Sequence, residues 1–176
     1  MKQSAPKTLY LFALAFFLAP IAAHAQGATD RPTLFMYAAK FVCGKSDEKG
    51  IVAPGQYFTA INVHNPSIFK PAIYVKRFAL ALPEEQPGSI SDLVRGVLKP
   101  DQAMGIDCPN IYKHTGNKPG QFIEGYALLY SLSELDVVSI YTAGHGEVET
   151  LHTERVPARK FVIGRQSALT RRLMEE

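Results

Sequence analysis

The stretch QYFTAINVH, residues 56–64, alternates with a period of two. Tyr57, Thr59, Ile61 and Val63 fall on one face of an extended chain, and Phe58, Ala60, Asn62 and His64 fall on the other. β-branched and aromatic residues dominate it, and no helical stripe runs through it. It reads as a strand with one face turned to a core. Asn65-Pro66-Ser67 then turns the chain, and Ala72 to Leu82 reads as the return strand.

The same pattern extends in both directions. Leu34 to Cys43 is a first apolar run, followed by a loop from Gly44 to Gly55 that holds Lys45, Asp47, Glu48, Lys49, Gly50 and Pro54. Pro83 to Ser89 is another loop, and Ser91 to Leu98 a short strand. Lys99-Pro100-Asp101 is a turn that leads into a strand from Gln102 to Cys108. The polar stretch Pro109 to Gly120 has room for one helical turn. Gln121 to Leu132 and Leu135 to Thr142 read as a hairpin joined through Ser133-Glu134. After a turn at Ala143 to Gly146, Glu147 to Val156 forms a further strand that Pro157 closes. Seven or eight strands at this spacing, with no helix period between them, predict an all-β antiparallel sandwich over residues 34–163. Residues 164–176 form a charged tail in which Leu169 and Leu173 stand four apart, as a short helix or a frayed end. Ala39 to Gly44 is echoed by Arg159 to Gly164, a match too short to indicate duplication.

The first 25 residues have the composition of a cleavable export signal. Lys2 and Lys7 start it, Leu9 to Leu18 is an uncharged apolar run, and Ala23-His24-Ala25 places small residues where a signal peptidase reads. The run is shorter than the roughly 20 residues a membrane span requires, and Pro20 ends it. The expected mature chain starts near Gln26 with a flexible lead-in over residues 26–33, in the periplasm or outside the cell. No stable membrane insertion is expected after cleavage. The chain has 19 Lys and Arg against 16 Asp and Glu; removing Lys2 and Lys7 leaves a net charge of +1. A surface so close to neutral gives no reason to expect nucleic acid or an anionic membrane as a partner. In an oxidising compartment Cys43 and Cys108, the two cysteines of the chain, are expected to form a disulfide.

The passages INVHNPSIFKPAIYVKRFAL and LKPDQAMGIDC resemble the strand, turn and strand of bacterial immunoglobulin-like modules. Pro100-Asp101 stands where a Pro-Gly pair is commoner in those modules. Together with EGY, LDVVSIYT and HTERVPAR, they make the region from Tyr37 to Phe161 similar to a family of uncharacterised exported bacterial proteins. The resemblance implies an immunoglobulin-like sandwich and an exported location. It implies no activity. The core Trp of antibody domains has no counterpart, since the chain contains no Trp.

The residues that carry chemistry form no motif. His64, Cys108 and His114 come in the order of a copper site, but Met104 precedes the cysteine, no Met follows until Met174, and a thiolate ligand would break the disulfide. The segment His145 to Glu154 is rich in metal-type donors, yet on a strand Glu147 and Glu149 share one face while His152 and Glu154 share the other. No serine sits in a nucleophile elbow, and no glycine loop precedes a helix to cradle phosphate. Asp101, Asp107, Glu124, Glu134 and Asp136 are free to pair as acid and base only if the fold brings them together. Asn65 precedes Pro66 and so accepts no glycan. Arg155, Arg159, Lys160, Arg165, Arg171 and Arg172 make the C-terminal end locally basic. Tyr57, Phe58, Tyr74, Tyr126, Tyr130 and Tyr141 read as cross-strand core pairs, with a ligand platform as the other use of them. The expected function is therefore non-enzymatic and cofactor-free: an exported module that contacts another protein or an envelope component. The alternative is a metal-binding or hydrolytic protein that uses His64, His114, His145, His152 and nearby carboxylates.

Overall fold

The computed structural model describes residues 31–47, 52–145, 149–162 and 168–174. The leader, its cleavage point and the lead-in as far as Asp30 lie outside these residues, as do Gly146, Glu147 and Val148. The fold is all-β and its strand pairs are antiparallel. In chain order come β1 (Thr33–Ser46), β2 (Gly55–His64), β3 (Ala72–Ala81), β4 (Pro87–Ile90), β5 (Val94–Leu98) and β6 (Ala103–Asp107). Helix α1 (Cys108–Thr115), β7 (Ile123–Ser131), β8 (Asp136–Gly144), β9 (Thr150–Arg155), β10 (Arg159–Val162) and helix α2 (Ala168–Met174) follow. The ladder runs β4-β3-β7-β1-β2-β8-β9, with β5 also on β3, β6 on β2 and β10 on β1.

Among the described residues ten strands form where the pattern predicts seven or eight. β4 and β10 account for most of the difference: Pro87 and Gly88 disguise the first, and the second is exposed along its whole length and shows no alternation. Two expected hairpins are absent. β2 pairs with β1, β6 and β8, whereas β3 pairs with β4, β5 and β7. β7 pairs with β1 and β3, and β8 with β2 and β9. Turn residues tell where a chain reverses; which edge it then joins depends on which apolar faces share a core.

The faces of β1, β3 and β7 that carry Tyr37, Phe41, Phe78 and Leu129 share one core with Ile61 and Val63 of β2, Ile106 of β6 and Val137 of β8. Tyr57, Thr59, Ile61 and Val63 do share a face, and the last three are buried. The opposite face of β1, β3 and β7 holds a second cluster. Leu34, Val75 and Tyr130 pack there against Leu173 of α2, with Leu169 alongside. The two leucines that stand four apart are thus the apolar stripe of a docked helix.

β1 changes partners at Gly44. Phe35 to Cys43 pair with β7, and Gly44 to Ser46 pair with β2, so the predicted loop begins as strand. Gly44 takes φ +94°, and a Cβ there would lie 2.2 Å from the Gln121 carbonyl oxygen. Beside it Cys43 and Cys108 are joined in a disulfide, with Cα atoms 5.7 Å apart. Cys108 opens α1 and does not end a strand. Asp107 caps the helix: its carboxylate accepts the Asn110 N–H at 3.0 Å, and Asn110 Oδ1 accepts the Asp107 N–H at 3.4 Å. Gly116, at φ 73°, ends the helix after two turns instead of one.

Candidate functional site

A groove of about 360 Å³ opens between β1 and the β8–β9 pair. Its floor follows from strand register. Thr59 of β2 lies opposite Tyr141 of β8, and Tyr141 lies opposite His152 of β9. The face that holds Val137 at the core end therefore carries Tyr141 and His152 beyond it. The two rings stack with centroids 5.9 Å apart and planes 19° from parallel. Two residues along the same face, the Glu154 carboxylate accepts the Tyr141 hydroxyl at 3.3 Å. Burial pushes the Tyr141 phenol pKa up, and the Glu154 charge adds to the rise, so the group stays a neutral donor.

Lys40 of β1 borders the other side. Its Nζ lies 2.5 Å from Glu124 Oε2 and 5.8 Å from the centre of the Tyr126 ring. At the end nearest the β1–β2 junction stand Tyr57 and Phe58. The Tyr57 hydroxyl donates to the Ala53 carbonyl, and Phe58 is 55% exposed. The groove thus offers aromatic surface with a cation on one bank and a carboxylate on the other. A Thr59 hydroxyl, which accepts the Val42 N–H and donates to the Val42 carbonyl at 2.9 Å each, closes β1 behind it.

β9 forms one rim and ends the ladder. All six of its residues are exposed, and β8 is its one strand partner among the described residues. The Val156 N–H donates to the Val137 carbonyl at 2.9 Å. Antiparallel alternation then turns the N–H groups of Glu154 and His152 towards β8, and those of Leu151, Thr153 and Arg155 outward. A second cavity, of about 480 Å³, lies beyond Phe58, over the disulfide and against α1.

His64, His114, His145 and His152 occupy four different settings. His64 Nε2 lies 3.0 Å from Asp101 Oδ1, with Asp136 3.6 Å from its other nitrogen. His114 stacks on Phe78 at 5.5 Å. His145 faces Glu149 at 3.5 Å, and His152 stacks on Tyr141. Among the described residues no three His, Cys, Asp or Glu side chains gather as a metal-ligand set. The carboxylates have structural partners as well: Asp107 caps α1, Glu124 holds Lys40, Glu134 faces Lys160, and Asp136 holds Arg155 at 3.0 Å. Of the six aromatic residues expected in core pairs, Tyr74 and Tyr130 are buried, while Tyr57, Phe58 and Tyr141 line the groove and Tyr126 borders Lys40. Lys40 had no signal in the sequence, since its distance from β9 is purely tertiary. The signal β9 did carry is its lack of alternating apolar residues, the mark of a strand with no buried face.

Among the described residues no helix is long and apolar enough to cross a membrane. Comparison with known proteins finds no family model, no curated protein and no solved structure that matches this chain.

Proposed function

We propose that this protein is an exported, non-enzymatic binding module of the immunoglobulin-like kind, which takes an extended segment of a partner polypeptide alongside β9. The observation that carries the proposal is β9 itself: an exposed end strand with outward N–H groups at Leu151, Thr153 and Arg155. Adding a strand there satisfies those groups, and alternate side chains of the added segment reach into the aromatic groove. Lys40 and Glu154 on opposite banks suit a segment with charges of both signs. The charged residues Glu154 and Arg155 keep such an edge from indiscriminate pairing. Export is supported by the leader composition, and the Cys43–Cys108 bond is compatible with it.

Thr153→Pro tests the mode. It removes an outward N–H and leaves the β8 ladder intact, because edge strands tolerate proline on their solvent side. Peptides selected from a displayed random library against the wild type should bind Thr153→Ala normally. They should bind Thr153→Pro at least about tenfold more weakly, in keeping with a lost backbone hydrogen bond and a blocked ladder. Amide exchange at Leu151, Thr153 and Arg155 should slow in the complex. Equal binding to Thr153→Pro, or protection confined to other strands, overturns the proposal.

A further inference from the structure

The connection between β2 and β3, residues 65–71, is wired from beneath. Asn65 is fully buried. Its Nδ2 donates to the carbonyls of Lys70 at 2.9 Å, Lys99 at 3.0 Å and Leu98 at 3.3 Å, and its Oδ1 accepts the Ser67 N–H at 3.1 Å. Ser67 Oγ accepts the N–H groups of Lys70 and Phe69, at 2.9 and 3.4 Å, and the Ser67 carbonyl accepts the Asp101 N–H at 3.0 Å. One amide therefore clamps the Lys70 and Lys99 backbones side by side. On this base stand Ile68, 65% exposed, and Phe69, 83% exposed.

Two large apolar side chains held in water by a rigid turn require an explanation, since collapse onto the body would hide them. Lys70 and Lys99 are exposed and have no ion-pair partner among the described residues, whereas Lys40, Lys45 and Lys160 each have one. The nearby Asp101 carboxylate is engaged with His64. The nearly neutral balance of the whole chain conceals this local pair of free cations.

We propose that this tip is a peripheral docking site for a bilayer rich in anionic phospholipid. Ile68 and Phe69 enter the headgroup–acyl boundary, and the Lys70 and Lys99 ammonium groups meet the phosphates. Exposed apolar side chains with lysines beside them suit a bilayer, whose boundary takes apolar groups beneath a layer of phosphates.

The absence of tryptophan from the chain makes the test direct. Phe69→Trp places a single indole at the tip, and an unchanged thermal midpoint shows that the fold is kept. Its emission should shift to the blue with mixed phosphatidylcholine–phosphatidylglycerol vesicles and stay unshifted with phosphatidylcholine alone. Co-sedimentation of the wild type with the mixed vesicles should fall at least about tenfold in Ile68→Ser/Phe69→Ser, the scale expected for losing one or two buried apolar side chains. It should fall by a similar factor in Lys70→Glu/Lys99→Glu. Thr153→Pro should leave it unchanged, which separates this site from the strand edge. No shift with either vesicle, equal sedimentation of the serine variant, or a shift that grows with protein concentration in the absence of vesicles overturns the proposal, the last by showing self-association through the tip.

Discussion

Asn65→Asp exchanges one NH₂ group for an oxygen at nearly constant shape, and its consequence follows from four contacts. The Nδ2 atom faces three carbonyls, of Lys70, Leu98 and Lys99, so the amide orientation is set by its surroundings. Asn65→Ala is the reference. It removes a buried hydrogen bond from the Leu98 carbonyl, at about 1–3 kcal/mol, while the Lys99 carbonyl keeps the Gln102 N–H and the part-buried Lys70 carbonyl recovers water at less expense. Adding the lost Ser67 contact gives a destabilisation of about 3 kcal/mol. Aspartate does worse, because it presents an acceptor where three acceptors converge; a loss of about 5 kcal/mol is expected, within the range for an uncompensated buried charge. In a domain of ordinary stability that is a third or more of the total. Urea unfolding followed by circular dichroism measures both variants, and the order wild type, Asn65→Ala, Asn65→Asp is the required result. The carboxyl of the aspartate variant should also be raised in pKa by its site. The folded state then holds the proton more tightly than the unfolded chain, and the variant loses stability as pH rises from about 4. An aspartate variant as stable as the alanine variant at neutral pH would refute the assignment of Nδ2 to the three carbonyls, and with it the rigidity of the tip.

Replacing Cys43 and Cys108 together by alanine should lower stability by about 4 kcal/mol, the chain-entropy value for a loop of 65 residues. The comparison is urea unfolding of the oxidised wild type against the double variant, and a difference under about 1 kcal/mol would show that the bond does not restrain the unfolded chain as that model requires. His114 supplies a pH dependence. Burial, then the charges of Lys76 and Lys113, hold its pKa below the usual value of about 6.5. The folded state thus favours the neutral ring stacked on Phe78: its stabilisation is complete above about pH 6.5 and is lost as pH falls through the lower, folded-state pKa. His114→Gln should flatten thermal midpoints across that interval, and an undiminished slope would assign the acid sensitivity to another group.

How far the fold was legible differs from element to element. β2 was readable almost to its ends, because one buried face and one open face leave a period of two in the residues. The β2–β3 and β7–β8 hairpins were misread because a turn such as Asn65-Pro66-Ser67 specifies reversal and is silent about the receiving edge. The turn at Pro100-Asp101 was correctly placed, and its departure from Pro-Gly has a local reason. Asp101 takes φ 56°, where glycine is the usual occupant, and its carboxylate bonds to His64 while its N–H bonds to Ser67. The helix at Cys108–Thr115 carried an N-cap signal at Asp107 that the strand-like AMGID before it obscured.

By itself the sequence determined the all-β class, the strand of residues 56–64 and the absence of any nucleophile-elbow or phosphate-loop motif, and it raised the expectation of a Cys43–Cys108 bond that the structure shows. Each of these is local, or depends on a count: side-chain period, turn chemistry and two thiols admit few readings. Only the tertiary structure decided which strands are neighbours, that β9 ends the ladder, that Lys40 and Glu154 border one groove, and that Lys99 lies beside Lys70 at the Ile68–Phe69 turn. Those relations join residues far apart in the chain, and they come from two apolar faces finding one core, a choice that no short window of residues contains.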